Sequence, residues 1–180
     1  METPQHPLPD PAGFPWGIET LSEQETEDLG ARLGGRLEGG ETVLLYGPLG
    51  AGKTCFVRGL CHSLGIDDEV VSPTFTLVNT YAGRLTVHHL DFYRIDRETS
   101  LEDIGVMEVM DEVAAGRAVL VAEWPDPLVP ELVGLAPPLI WLGTPGTDPD
   151  QRLWRLRYQD DKAAALAADL GLSKLGEGPC

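Results

Sequence analysis

The stretch YGPLGAGKT, residues 46–54, constrains this chain more than any other feature, because its spacing suits one local structure. Gly47, Gly52, Lys53 and Thr54 satisfy GxxxxGK[ST], a phosphate-wrapping loop set between a buried strand and a helix. Gly47, Gly50 and Gly52 free the backbone from Leu49 through Ala51 to turn its N–H groups around a phosphate at a helix N-terminus. In such a loop Lys53 bridges the β- and γ-oxygens, and the Thr54 hydroxyl takes one position on Mg²⁺. Kinases, GTPases, motors and assembly ATPases all carry this loop, so it sets the fold and leaves the task open.

The flanks supply both required elements. Residues 42–46, TVLLY, form a short apolar run between glycines and predict a buried strand. Phe56, Val57, Leu60, Cys61 and Leu64 make one apolar helix face, closed by Gly65. Upstream, Ser22 with Glu25 forms a capping box, and Leu29, Leu33 and Leu37 follow at helical spacing, predicting a helix over 23–38. Downstream, the β-rich runs 75–81 and 85–91 around Ala82-Gly83-Arg84 predict a hairpin. Pairing Tyr81 with Leu85 sets Phe75 opposite Asp91 and brings Ser72, Thr74 and Asp91 to one end.

Ser100 then reads as a helix cap, with Leu101, Ile104, Met107 and Val113 inward and Gly116 as the stop. Residues 118–122, AVLVA, predict a second buried strand that runs into Glu123. Weaker strands at 139–142 and 153–158 precede a last helix over 161–170. Alternating strands and helices predict a single α/β domain over 18–170. Its expected architecture is the three-layer fold of P-loop NTPases, with a mixed, mostly parallel central sheet and a switch-like β-hairpin. Residues 1–17, with five prolines and no hydrophobic period, read as an unstructured extension, and 171–180 as a flexible tail.

Charge narrows the partners. The formal net charge is −16, and Lys53, Lys162 and Lys174 are the only three lysines. General phosphate neutralisation needs clustered Lys and Arg, so direct DNA binding is not expected and any nucleic-acid role should run through a partner. Cys55, Cys61 and Cys180 are odd in number and lack CxxC spacing, which fits a reducing, cytoplasmic setting better than a disulfide or zinc framework. No apolar run approaches the roughly 18 residues of a membrane span, so no membrane association is expected.

A P-loop magnesium usually takes a second, acidic contact from the end of a neighbouring strand. Glu123, ending an apolar run, fits that position best, with Asp91 nearby at the end of TVHHLD. Guanine reading through Asn-Lys-x-Asp is excluded, because the one asparagine, Asn79, precedes Thr80. ATP is therefore the expected nucleotide. Without an obvious lid, a small-molecule kinase is the weaker alternative to an ATPase, and a module that holds ATP without hydrolysing it is a third.

GPLGAGKT, SPTFTLVNTY (72–81), HLDFYR (89–94) and EWP (123–125) together resemble the TsaE/YjeE family of bacterial ATPases, over about residues 20–158. The resemblance implies an ATP- and Mg²⁺-dependent accessory protein of tRNA threonylcarbamoyladenosine biosynthesis. It also implies binding to the TsaD and TsaB subunits, with hydrolysis resetting that complex. Carried over residue by residue, Lys53, Asp91 and Glu123 would be catalytic, and Thr54, Glu123 and Asp91 would serve the metal. Ser72 and Thr74 would sense the γ-phosphate, Trp124 would lie near the nucleotide, and His89, Tyr93 and Arg94 would shape the site or a partner surface. Arg152, Arg155 and Arg157, interleaved with Trp154, Leu156 and Tyr158, read as the wet face of an edge strand or as a contact for tRNA or an acidic partner.

Overall fold

Two strands buried along their whole length set the plan of the molecule. They are β2 (Thr42–Tyr46) and β5 (Ala118–Glu123), and such strands require cover on both faces of the sheet. A computed structural model supplies that cover and describes residues 6–95, 101–102 and 105–176. Alternate residues point to opposite faces. Val43, Leu45, Val119 and Val121 pack with Leu29 and Leu33 of α1 (Glu23–Gly34) and with Phe56, Val57 and Leu60 of α2 (Lys53–Ser63). Leu44, Leu120 and Ala122 pack with Val106, Val109, Met110 and Val113 of α3 (Val106–Ala114). α4 (Ala163–Asp169) joins the first layer through Ala167.

The remaining strands are β1 (Trp16–Thr20), β3 (Val78–Ala82), β4 (Thr86–Asp91), β6 (Leu139–Pro145), β7 (Arg152–Tyr158) and β8 (Ser173–Lys174). The sheet order is β3-β4-β5-β2-β6-β7-β1-β8. β4, β5, β2 and β6 run parallel, and the outer strands are antiparallel, so the sheet is mixed with a parallel centre. The register sets Asp91 beside Glu123 and Glu123 beside Leu45, which brings the carboxyl ends of β4, β5 and β2 to one edge. Ligands of open α/β sheets bind at that edge. No helix among the described residues is long and apolar enough to cross a membrane.

Several expectations are corrected. Much of the segment 1–17 is ordered: a 3-10 turn at Pro11–Gly13 is capped by Asp10, Phe14 is fully buried, and β1 pairs with β7. Burial of Phe14 and the ladder of β1 outweigh the proline-rich composition, and residues 1–5 lie outside the described region. The tail is likewise tied down as far as it is described, with β8 pairing β1 and the Leu175 N–H donating to the Pro15 carbonyl. Because β1 adds to β7, the arginine-bearing strand is interior to the sheet and not an edge.

α1 ends at Gly34 instead of 38, its last turn tightening into the i→i−3 bonds Arg36 to Leu33 and Leu37 to Gly34. The hairpin register is slipped by two, pairing Tyr81 with Val87 and Val78 with Leu90. Phe75 leaves the strand because Leu77 turns the chain at φ 67. α3 starts only at Val106, since Gly105 stands at φ 73; the expected Ser100 cap and Ile104 lie outside the described residues.

Candidate active site

The loop between β2 and α2 closes on itself. Gly50 and Gly52 take left-handed φ of 77 and 89, which lets the chain reverse before the first turn of α2. No side chain caps α2, so its leading N–H groups are available to an anion. Gly47 has no room for a side chain, as a Cβ there would sit 2.4 Å from the Gly143 carbonyl oxygen. Lys53 is 5% exposed; its Nζ donates to the carbonyls of Gly47 at 2.8 Å and Pro48 at 3.1 Å. The ammonium also lies 4.1 Å from the centroid of the Trp124 ring. Burial lowers the Lys53 pKa, and the carboxylates of Glu123 and Asp91 oppose that shift without reversing it.

Glu123 is 3% exposed and stands at the end of β5. Its Oε1 accepts from the Thr54 hydroxyl at 3.0 Å and faces His89 Nε2 at 3.0 Å. Two donors on one oxygen aim the carboxylate. His89 is fully buried, and its Nδ1 has no hydrogen-bond partner among the described residues, which leaves support of Glu123 as the ring's polar role there. Asp91 is held differently. Its Oδ2 accepts from Ser72 Oγ at 2.5 Å and Thr74 Oγ1 at 2.6 Å, and its Oδ1 from the Tyr93 N–H at 2.9 Å. Ser72 and Thr74 are also 2.7 Å apart. Two hydroxyl protons thus serve three close oxygen contacts, so one of these contacts lacks a proton at any moment.

These groups converge on a cavity of about 480 Å³, within the range of small-ligand sites. The structure places Leu49, Gly50, Ala51, Gly52, Lys53, Thr54, Thr74, Asp91, Glu123 and Trp124 on its walls, with Ser72 and Tyr93 beside them. Gly47 contributes its carbonyl to Lys53. Among the described residues no three His, Cys, Asp or Glu side chains cluster as a preformed metal site. Magnesium bound with phosphates needs only one or two protein contacts, and the donor set of Thr54 and Glu123 suits it.

The sequence reading missed Glu23, Thr26, Cys55 and Asp150 on the same walls, and it read Arg152 as part of a strand face or of a contact for tRNA or an acidic partner, not as a wall of this cavity. Arg152 reaches the loop, its Nε donating to the Gly50 carbonyl at 3.0 Å. Arg155 donates to Thr144 Oγ1 and Arg157 stacks on Phe14, so the arginine cluster divides among separate duties. Each of these contacts joins residues far apart in the chain or on neighbouring strands, so the division was not legible in the local pattern of the sequence.

Fold and site together define a P-loop protein of the three-layer α/β class with a switch-like hairpin. Residues 20–140 match the family described as "Threonylcarbamoyl adenosine biosynthesis protein TsaE". The chain belongs to the TsaE family, proteins of tRNA threonylcarbamoyladenosine biosynthesis. It is 46% identical over 111 residues to TsaE of Treponema pallidum, covering 62% of this chain and 79% of that protein. With TsaE of Mycobacterium leprae it shares 34% over 146 residues, 78% of this chain and 83% of that one. The crystal structure of Bacillus subtilis YdiB superposes with a TM-score of 0.67 at 26% identity, covering 86% of this chain and 93% of the other.

Proposed function

We propose that this chain is a magnesium-dependent ATPase and an accessory subunit in the synthesis of N6-threonylcarbamoyladenosine beside the tRNA anticodon. In this reading it binds the TsaD and TsaB subunits and uses ATP hydrolysis to reset them. The observation that carries it is the convergence of Lys53, Thr54, Asp91 and Glu123 on one cavity at the carboxyl ends of parallel strands, in a TsaE-family chain. Bound magnesium would neutralise phosphate charge and lower the pKa of a coordinated water. Thr54 and Glu123 would hold it, while Lys53 exchanges the carbonyls of Gly47 and Pro48 for phosphate oxygens.

Ser72 and Thr74 fit a switch, because hydroxyls that share one Asp91 oxygen can trade it for a phosphate. Their segment also carries Phe75, 85% exposed with the Arg94 guanidinium 4.3 Å over its ring, so a shift there reaches the surface where a partner would bind. A net charge of −16 fits a subunit that meets protein partners directly and tRNA only through them.

The test is a strain in which Lys53→Ala is the sole copy, with its tRNA nucleosides quantified by mass spectrometry. Threonylcarbamoyladenosine is expected to be lost; a normal level overturns the reading. In purified protein Glu123→Gln is expected to lower kcat by about 10²- to 10⁴-fold, the usual worth of a positioned acid or base. ATP consumption driven by a small acceptor, with no protein partner present, would replace this reading with that of a metabolite kinase.

A further inference from the structure

Residues before position 20 lie outside the matched family region, yet they reach the candidate site. The side chain of His6 is only 6% exposed. Its ring packs on Tyr93 with centroids 6.0 Å apart and on Trp124 at 5.1 Å, and those two rings are themselves 5.2 Å apart. Nε2 donates to the Tyr93 carbonyl at 3.0 Å, and Nδ1 lies 3.6 Å from Asp126 Oδ2. Further along, Phe14 is buried in the α3-side core beneath the Arg157 guanidinium, 4.9 Å from its ring. The segment is thus pinned at both ends.

Both rings under His6 belong to residues that adjoin the acids of the site. The Tyr93 N–H donates to Asp91 Oδ1. Trp124 directly follows Glu123, carries the Lys53 ammonium over its ring and stands at φ 52, a left-handed conformation for a bulky residue. Such a conformation persists only where the surroundings over-determine it. The backbone is fixed by the Trp124 N–H bond to the Leu45 carbonyl, at 3.2 Å. The ring is fixed by His6, Tyr93 and Lys53.

We propose that His6 is a positioning residue of the site: the segment 6–14 is a strap that clamps Tyr93 and Trp124 and thereby sets the strength of nucleotide binding. The inference rests on the proposed nucleotide role of this cavity. Without the imidazole, the Tyr93 carbonyl and one side of the Trp124 ring open to water. The tryptophan then leaves the single orientation in which it faces Lys53.

The test uses the full chain labelled with 5-fluorotryptophan, which gives one ¹⁹F resonance for each of the four tryptophans. Trp124→Phe assigns the relevant one. His6→Ala is expected to shift the Trp124 resonance and leave Trp141 and Trp154, on the other face of the sheet, in place. By calorimetry it should weaken Mg-ADP binding by about 3- to 10-fold, the worth of one aromatic pair. His6→Phe keeps a ring over Trp124 and should restore most of both signals, which a general loss of folding would not allow. An unmoved Trp124 resonance in His6→Ala, or His6→Phe behaving no better than His6→Ala, overturns the proposal. A wild-type chain that binds no Mg-ADP would overturn the nucleotide reading and the affinity effect with it, while the resonances would still decide whether His6 clamps Trp124.

Discussion

At the scale of single residues, burial restrains the ionisation of Lys53 in the site. The same applies to two thiols, Cys55 on the cavity wall and Cys61 in the core. Burial pushes the Cys55 thiol up to about 11 and the Cys61 thiol up to about 12, from an ordinary value of 9.0. The thiolate is the nucleophile, so both are inert at neutral pH. At pH 8 iodoacetamide is expected to leave Cys55 and Cys61 unmodified in the folded chain, read by peptide mass spectrometry. Alkylation as fast as in a urea-unfolded control would contradict this. The linked stability has a definite sign: raised folded values mean the contribution is intact below pH 9 and is lost as pH climbs through about 11 and 12. Legibility divides at this scale. Gly47, Gly52, Lys53 and Thr54 could be read because a phosphate loop is a local motif. The left-handed Trp124 and the His89 support of Glu123 could not, since each depends on strands far apart in the chain.

At the scale of elements, the tightest contact is the crossing of α1 and α2. A Cβ added at Gly30 would lie 2.0 Å from the Phe56 carbonyl oxygen, and one at Gly59 1.8 Å from that of Glu27. The helices approach backbone to backbone through these glycines, and α1 thereby delivers Glu23 and Thr26 to the cavity wall. Gly59→Ala should push the helices apart and cost about 1–3 kcal/mol or more, as overpacking does. A urea titration would show a lower midpoint at unchanged slope; a wild-type midpoint would refute the close crossing. In sequence these glycines read only as weak helix formers, whereas the capping box and the Leu29–Leu33 spacing announced α1 correctly. β1 escaped notice because WGIET follows five prolines and gains strand character only by pairing with β7. The hairpin register slipped for a related reason. Phe75 has strand propensity, but the hydroxyls of Ser72 and Thr74 draw their segment toward Asp91 and Leu77 turns it out of the ladder.

At the scale of the whole molecule, the cavity lies where α1, the phosphate loop, the hairpin segment, β5 and β7 meet, through Thr26, Lys53, Thr74, Glu123 and Arg152. A ligand there touches residues spread from Glu23 to Arg152 along the chain, on elements from both sides of the sheet's centre. It should therefore stabilise the fold as a whole rather than one loop. Mass action puts that gain at about 2.7 kcal/mol when ligand stands at 100 times its Kd. For a chain of this length each kcal/mol moves Tm by about 2–4 °C, so saturating Mg-ADP should raise Tm by about 5–11 °C. Scanning calorimetry of the wild type with Mg-ADP, with ADP plus EDTA, and of Lys53→Ala with Mg-ADP separates the contributions. The full shift is expected in the first case, a smaller one without the metal, and little in Lys53→Ala, which removes a buried ammonium from the cavity wall. An equal shift in all three would place the ligand elsewhere. The absence of any shift at millimolar Mg-ADP would leave the cavity without its proposed occupant, whatever the family resemblance.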